Sequence, residues 1–385
     1  MLAPRSSTLS LEWRPLASLA DVDDRWRALA ARAAEPNVFY EPAFALAALP
    51  VFGMDAGAVL AWSTDARRDL LGLLPARIER GRYGAPFPVL TGWTHAYGPL
   101  GVPLIDRDAV ATVIAALLDQ VARDPALPDV LLLPMVPVGG PVATAIAAAV
   151  TTRGGRIREF ARHQRALLAP DGDRSTYLEQ SIDRKKRRDL ARQRRRLAET
   201  APVGFDIART PATVGAVLPD FFALEAAGWK GRAGTAATQH ADVRRFLDRA
   251  VIELAAEGKA TVARLSHGDA AIAAGLTLRS GDTAWFWKIA YDERASRASP
   301  GVQFTLDLTA ALLADPGVAR VDSCAVADHP MIDHVWRGRL VLADYLVAVG
   351  PSAARNFALA SSLEALRRSG IAAAKRVRDL LRRGA

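Results

Sequence analysis

WFWKIAYDERASRASPGVQF, residues 285–304, is the stretch on which the reading of the chain turns. Its first seven residues are apolar and aromatic and predict a strand, the charged segment after them a turn, and Ser-Pro-Gly a helix start. Ser299 as cap and Pro300 at the first helical position would present free backbone N–H groups at the positive end of the helix dipole. Gly301 adds no side chain there, so a phosphate can approach the backbone closely. A well-capped helix without a ligand would use the same residues.

Working outward, "ATVARL", "AIAAGLTLRS" and "TAWFWKIAY" are strands joined by the tight turns "SHGDA" and "SGD". Upstream come the strand "VGFDIA" and helices near 211–227 and 238–257, separated by the glycine-bearing "GWKGRAGTA". Downstream lie a helix at 301–314, the strand "VARVDSC", a short helix near 329–336 and the strand "RLVLADYLVAV". The first half repeats this order without repeating the sequence. It has a strand at 9–15, helices near 21–34 and 41–48, strands at 58–62 and 70–79, and a helix at 107–123. The strand "DVLLLP", the helix "PVATAIAAAV" and the strand "HQRALLA" close it. The expected architecture is therefore α/β, two tandem mixed-sheet units at 1–172 and 173–350 followed by a basic helical tail at 351–385.

With 385 residues, half of them apolar, and eight Trp, the chain can build real cores. Cys324 is its only cysteine, which excludes an intrachain disulfide and points to a reducing compartment. The start "MLAPRSSTLSLEWRPL" has no apolar signal core, so a cytoplasmic location is expected. Residues 130–150 are uncharged and long enough to span a bilayer, but Pro134, Pro137, Gly139, Gly140 and Pro141 interrupt them. A buried strand, a turn and a buried helix are expected there instead. The net charge is +9, yet residues 181–200 and 351–385 each contribute +6, so the rest of the chain is slightly acidic. The first basic segment is a helix with a thin seam of Ile182, Leu190 and Leu197; its cations suit RNA, coenzyme phosphates or simply solvent. The tail places Leu363, Leu366, Val377 and Leu381 roughly on one face, fit to dock on the acidic body or to make peripheral contact with an anionic membrane.

"RKKRRDLARQRRRLAE", "EAAGWKGRAGTA", "WKIAYDERASRASPGVQ" and "VDSCAVADHPMIDHVWRGRL" together resemble the BioF2-like, FemAB-related acetyltransferase domain family, on the GNAT fold. That family includes proteins labelled as cellulose-biosynthesis acetyltransferases. The resemblance covers roughly residues 175–349; the first half is similar to the degenerate partner domain of such two-unit proteins. It implies a central strand splayed from its neighbour and a coenzyme A pyrophosphate on the next helix, at Arg297, Ser299, Pro300, Gly301, Val302 and Gln303. It also implies acetyl-CoA or another acyl-CoA as co-substrate, and an oxyanion donor from the backbone of residues 285–291. The usual phosphate motif, Gln/Arg-x-x-Gly-x-Gly/Ala, is here Arg297-Ala-Ser-Pro-Gly, with one glycine rather than two. FemAB relatives use aminoacyl-tRNA on the same fold, so that donor stays open.

Acyl transfer to an amine or hydroxyl needs a base, an oxyanion donor and a proton for the departing thiolate. Asp322, at the end of its strand, is either a base with a burial-raised pKa or a turn former. Lys288 is either a base or an ion-pair partner of Asp292 or Asp322. His329 is either a proton relay or a helix cap, and Cys324 either a nucleophile or a small buried residue. Asp328, His329, Asp333 and His334 crowd one short turn without a distant ligand, so no metal is expected. Trp229, Lys230 and Arg232 form an aromatic and cationic loop suited to an anionic or sugar-bearing acceptor, with Trp287 and Asp292 beside them. The expected function is acyl transfer to a small-molecule or saccharide acceptor. A FemAB-like aminoacyl-tRNA-dependent transferase and a non-catalytic nucleic-acid or membrane-surface binding protein remain as alternatives.

Overall fold

The computed structural model describes residues 9–383. The first half runs β1 (Leu9–Pro15), α1 (Asp23–Ala31), α2 (Pro42–Phe52), β2 (Gly57–Ser63), β3 (Leu70–Glu79), β4 (Val89–Gly92), β5 (Leu104–Ile105), α3 (Val110–Arg123), β6 (Val130–Pro137), α4 (Pro141–Thr152) and β7 (Arg156–Leu168). The basic segment follows as α5 (Tyr177–Ser181) and α6 (Arg184–Ala198), then β8 (Val203–Ala208), α7 (Pro211–Ala227), α8 (Trp229–Arg232) and α9 (Ala241–Ala256). The chain ends with β9 (Ala260–His267), β10 (Ala270–Ser280), β11 (Thr283–Tyr291), α10 (Pro300–Ala314), β12 (Arg320–Asp322), β13 (Gly338–Ala348) and α11 (Ala354–Arg383). Among the strands, β4 and β5 have no counterpart in the sequence reading; at four and two residues they are too brief for an alternating pattern.

Two compact units result, both mixed sheets covered by helices, as the α/β class requires. One comprises residues up to 40, 53–162 and from 342; the other comprises 41–52 and 163–341. Consecutive units meeting at 172/173 would have kept β7 in the first and β13 in the second. Instead β6 pairs antiparallel with β13, and β12 with β7. Each unit thus takes its closing strand from the other half of the sequence. The helix α2 belongs to the second unit because its aromatic side chains find partners there: Phe44 lies 5.4 Å from both Phe246 and Trp287, edge to face.

In the second unit the strand order is β7-β12-β11-β10-β9-β8. The strands β8 to β11 form an antiparallel meander, and α10 crosses over from β11 to the parallel β12. The inner face of α10 lays Phe304 and Leu308 among Phe286, Val321 and Trp336 in one buried cluster. The approach of Phe304 is possible because Gly275 lies beneath it: a Cβ there would stand 2.8 Å from the ring and 3.0 Å from the Lys288 carbonyl. The arginine-rich helix α6 is N-capped by the Asp183 carboxylate, which accepts the Lys185 N–H at 2.8 Å. Its apolar seam buries Ile182 and Leu190, with Leu197 half-buried, and Arg194 pairs with Asp307 of α10 at 2.6 Å.

The first unit orders its strands β1-β2-β3-β4-β6-β13, with β5 on β3. Residues 130–150 become β6, a turn with Gly139 at φ +76°, and α4, as their proline and glycine content requires. Here too a crossover helix, α3, links two parallel strands, β4 and β6, which pair for only two residues. The space beyond that pairing is filled. Trp93, Leu100 and Val102 are buried, the Gly101 N–H bonds the Met135 carbonyl, and a Cβ on Gly101 would sit 2.0 Å from the Pro134 oxygen. Burial, and secondarily the Arg77 charge, push His95 in this segment down to about 3, so it is neutral near pH 7. The tail helix α11 docks on the first unit through Phe357, Ala360 and the fully buried Glu364, which Arg82 meets with two hydrogen bonds of 2.9 and 3.0 Å. The Leu381 side chain and residues 1–8 lie outside the described residues. Among the described residues no helix is long and apolar enough to cross a membrane.

Replacing Gly275 by alanine should lower stability by about 1–3 kcal/mol through overpacking against Phe304, read from the denaturant midpoint of the chain. An unchanged midpoint would mean that α10 does not bear on β10 as described.

Candidate active site

Local sequence splays the second unit's sheet. In the β10–β11 ladder Leu276 faces Lys288 and Thr277 faces Phe286, so Trp287 is one residue too many and β11 bulges there. On its other edge β11 pairs with β12 only as far as Trp285 with Asp322. Beyond that point the strands part. A cavity of about 370 Å³ opens between them, lined among others by Trp229, Lys288, Tyr291, Cys324, His329 and Met331. An open α/β edge of this kind, at the carboxyl ends of parallel strands, is where such folds place their ligands.

One ion pair holds the β12 side of the opening. Arg165 of β7 and Asp322 are both almost fully buried and their side chains are in direct contact. The second Asp322 oxygen accepts the Cys324 N–H at 3.0 Å, and Cys324 adopts a left-handed φ of +51°. Asp322 is therefore a structural carboxylate that turns the chain away from β11, engaged on both oxygens; the geometry gives it no role as a base. Arg165 is the residue that sequence reasoning missed. Its one signal was an arginine inside the otherwise apolar end of β7, where an unpaired charge would be prohibitive.

Lys288 is the titratable group that the bulge turns into the cavity. Of the two acids expected near it, Asp322 is in contact with Arg165 and Asp292 with Arg294. Burial, and then the Lys230 charge, hold its amine down to about 7, while Glu225 and Cys324 pull in the opposite direction. The amine lies 5.5 Å from the Trp287 ring centre. At neutral pH a substantial fraction of Lys288 is thus unprotonated and competent to accept a proton.

Cys324 also borders the cavity, but burial and then Asp322 push its thiol well above its ordinary range, the opposite of an activated nucleophile. His329 lines the same space, and its Nδ1 accepts the Met331 N–H at 3.3 Å, which leaves the ring proton on Nε2. Asp292 lies outside the cavity lining and caps the turn after β11, accepting the Arg294 N–H at 2.9 Å. Trp287 is mostly buried against Phe44 and Phe246, with one edge on the cavity.

The glycine-bearing loop forms α8, and two carboxylates pin it. Glu293 accepts the Trp229 N–H at 2.8 Å and Arg232 at 2.5 Å; Glu225, buried on α7, accepts Lys230 at 2.7 Å and the Ala237 N–H at 2.9 Å. Gly231 is obligatory, as a Cβ would meet the Ala226 oxygen at 1.8 Å. Trp229 stays 57% exposed, an aromatic face at the rim.

The mouth of α10 differs from expectation in detail. Ser299 is left-handed, φ +51°, and its side chain does not cap; the Val302 and Gln303 amides bond the Ser299 carbonyl. Gly301 makes room for the Tyr291 ring, since a Cβ there would lie 2.9 Å from it. Gln303 is buried and donates to the Leu190 carbonyl at 2.8 Å, Pro300 is buried, and Arg297 is exposed. Val302 lines a second cavity, of about 530 Å³, between the starts of α6 and α10, with Lys186, Leu190, Met331, His334 and Arg337. Pro330 and Met331 border both cavities. Among the described residues no group of three or more His, Cys, Asp or Glu is placed to hold a metal ion.

Replacing Arg165 by methionine should cost about 3–5 kcal/mol, because Asp322 would be left charged and buried. The double variant Arg165→Met/Asp322→Leu should recover much of that loss in thermal or denaturant unfolding. Additive losses in the double variant would show that the pair is not coupled.

Residues 184–329, which hold α6, α10 and most of the cavity lining, match the acetyltransferase (GNAT) domain family. Among curated proteins none is significantly similar to the chain in sequence. Among solved structures, FemX is 10% identical, with 84% of this chain and 95% of that one covered at a TM-score of 0.56. The C-terminal domain of a putative lysylphosphatidylglycerol synthetase from Agrobacterium fabrum is 13% identical, with 90% and 98% covered at 0.51. A conserved protein of unknown function from Bacteroides thetaiotaomicron is 13% identical, with 88% and 99% covered at 0.52. At such identities the likeness is one of fold. Over residues 184–329 the chain is similar to GNAT acetyltransferase domains, the coarser of the two family resemblances that its motifs carry.

Proposed function

We propose that the second unit moves an acyl group from acyl-CoA to an amine or hydroxyl acceptor, a small molecule or a saccharide, and that the first unit is its non-catalytic partner. The observation that carries this reading is Lys288, a lysine with a lowered pKa placed by a β-bulge in the cleft of a splayed sheet. In support of the division of labour, the corresponding opening in the first unit is filled by its own residues 93–102. The BioF2-like label rests on the sequence motifs.

On this reading the donor's pantetheine arm lies in the cavity between α6 and α10, with Lys186 and Arg337 near its phosphates, and the thioester reaches past Met331. The acceptor enters beside Trp229. Its nitrogen or oxygen attacks the thioester carbon and passes its proton to Lys288; the carbon–sulfur bond breaks, and the departing thiolate takes up that proton from the Lys288 ammonium, which restores the free amine. The bulged backbone of β11 supplies the oxyanion contact. Aminoacyl-tRNA as donor is the second reading, favoured by the exposed cations of α6, among them Arg184, Lys185 and Arg188.

Calorimetric titration with coenzyme A and acetyl-CoA separates the two. Wild-type chain should bind saturably, and Val302→Asp should abolish binding, since it puts a carboxylate into the donor cavity at a half-buried position. Gly301→Asp would be a poorer probe, because it strikes Tyr291. No binding to a folded wild-type chain overturns the acyl-CoA reading in favour of charged tRNA.

The pH profile tests the base. Lys288 is depressed in the folded chain, so activity should rise as pH increases through about 7, when the amine loses its proton. Lys288→Met should lower kcat by about 100-fold or more and remove that limb. A limb near 7 that survives in the variant would exclude Lys288 as base. Cys324→Ala should leave the rate within a few-fold, as no thiolate is used.

A further inference from the structure

The tail helix carries a surface that the proposed reaction does not use. At 3.6 residues per turn, the side of α11 buried on the first unit is set by Phe357, Ala360, Ser361 and Glu364. The opposite side repeats apolar residues at Leu359, Leu366, Ala373 and Val377, with Leu363 beside them. Leu359, Leu366 and Val377 are 50%, 69% and 56% exposed, and every residue from 369 to 377 is exposed. The stripe is flanked on one side by Arg367 and on the other by Arg376, with Lys375 also exposed. From residue 365 to 377 the sequence holds four Arg or Lys and no acidic residue.

Apolar side chains aligned along one exposed helix face and edged by cations make a surface that can take up a partner. A second copy of the helix is disfavoured, because the flanking charges are all positive and would be set against their own kind, and because Gly370 interrupts the seam. An acyl-chain boundary beneath anionic head groups satisfies both features at once: the apolar residues enter the apolar layer while Arg367 and Arg376 stay at the charged surface. We propose that the outer stripe of α11 lies on an anionic lipid surface and holds the chain there peripherally.

Vesicle flotation of the full chain tests this. Vesicles of phosphatidylcholine with phosphatidylglycerol should carry the protein up the gradient, phosphatidylcholine alone should not, and added salt should weaken the effect. The variant Leu366→Glu/Val377→Glu, changed only at exposed positions, should keep its melting temperature and lose on the order of tenfold or more of the bound fraction. Arg367→Gln/Arg376→Gln should reduce binding to anionic vesicles while leaving the helix content unchanged. No flotation, or flotation that the leucine–valine variant does not diminish, overturns the proposal; the latter would move the contact to another basic surface such as α6. A dimer in light scattering that this variant dissolves, without any vesicle binding, would assign the stripe to a second copy of the chain and overturn it as well.

Discussion

The buried contact between Arg165 and Asp322 is the constraint from which the cleft follows. A carboxylate at the end of a three-residue strand, with one oxygen on an arginine and the other on the Cys324 amide, forces the backbone into a left-handed turn at Cys324. The chain then cannot continue alongside β11. A longer ladder would zip the two strands together and leave no space at Lys288. Such a pair contributes little net stability, because desolvating both ions offsets their attraction. What it supplies is direction: it sets where pairing stops.

The two units show what that direction is worth. Each has a crossover helix between parallel strands that pair for only two or three residues, and each draws its closing strand from the other half of the sequence. In the first unit the segment after β4 folds back into the gap, led by Trp93 and sealed by Gly101 against the Pro134 carbonyl. In the second the segment after β11 turns outward at Asp292, which caps its own turn, and α10 begins beyond it. Two openings of like topology thus end as a packed interior and a cavity. The difference lies in a few residues on one loop.

Much of this was legible in the sequence. Strands β8 to β11 and helices α7, α9 and α10 follow from alternation, glycine turns and a Ser-Pro start, because each of those signals is local. The splay near residues 285–291 was implied by the resemblance to the GNAT fold; the cavity it opens, with residues 323–332 on its other side, is a finding of the structure. Three things were not legible, all for the same reason. That Gly301 yields to Tyr291, that Asp322 is spent on Arg165, and that α2 belongs with α9 are facts about residues distant in the chain, and no periodicity encodes them. Lys288 was legible as a candidate, but its character was not. Burial in the cleft that the bulge at Trp287 sets, and then the neighbouring Lys230, make it a group that loses its proton near neutrality.

That character bears on which acceptor the proposed reaction suits. A free amine attacks as the neutral base and becomes far more acidic once bonded to the thioester carbon, so a lysine with a pKa of about 7 takes that proton downhill. A hydroxyl, far less acidic, must give up its proton while it attacks, and a base of about 7 is poorly matched to it. Lys230 sharpens the distinction. Placed by the buried Glu225, it lowers the pKa of Lys288 and opposes an acceptor that arrives as an ammonium ion. On the proposed reading, an amine that binds in its neutral form, or that carries an anionic group to offset Lys230, is better matched to this base than an alcohol is.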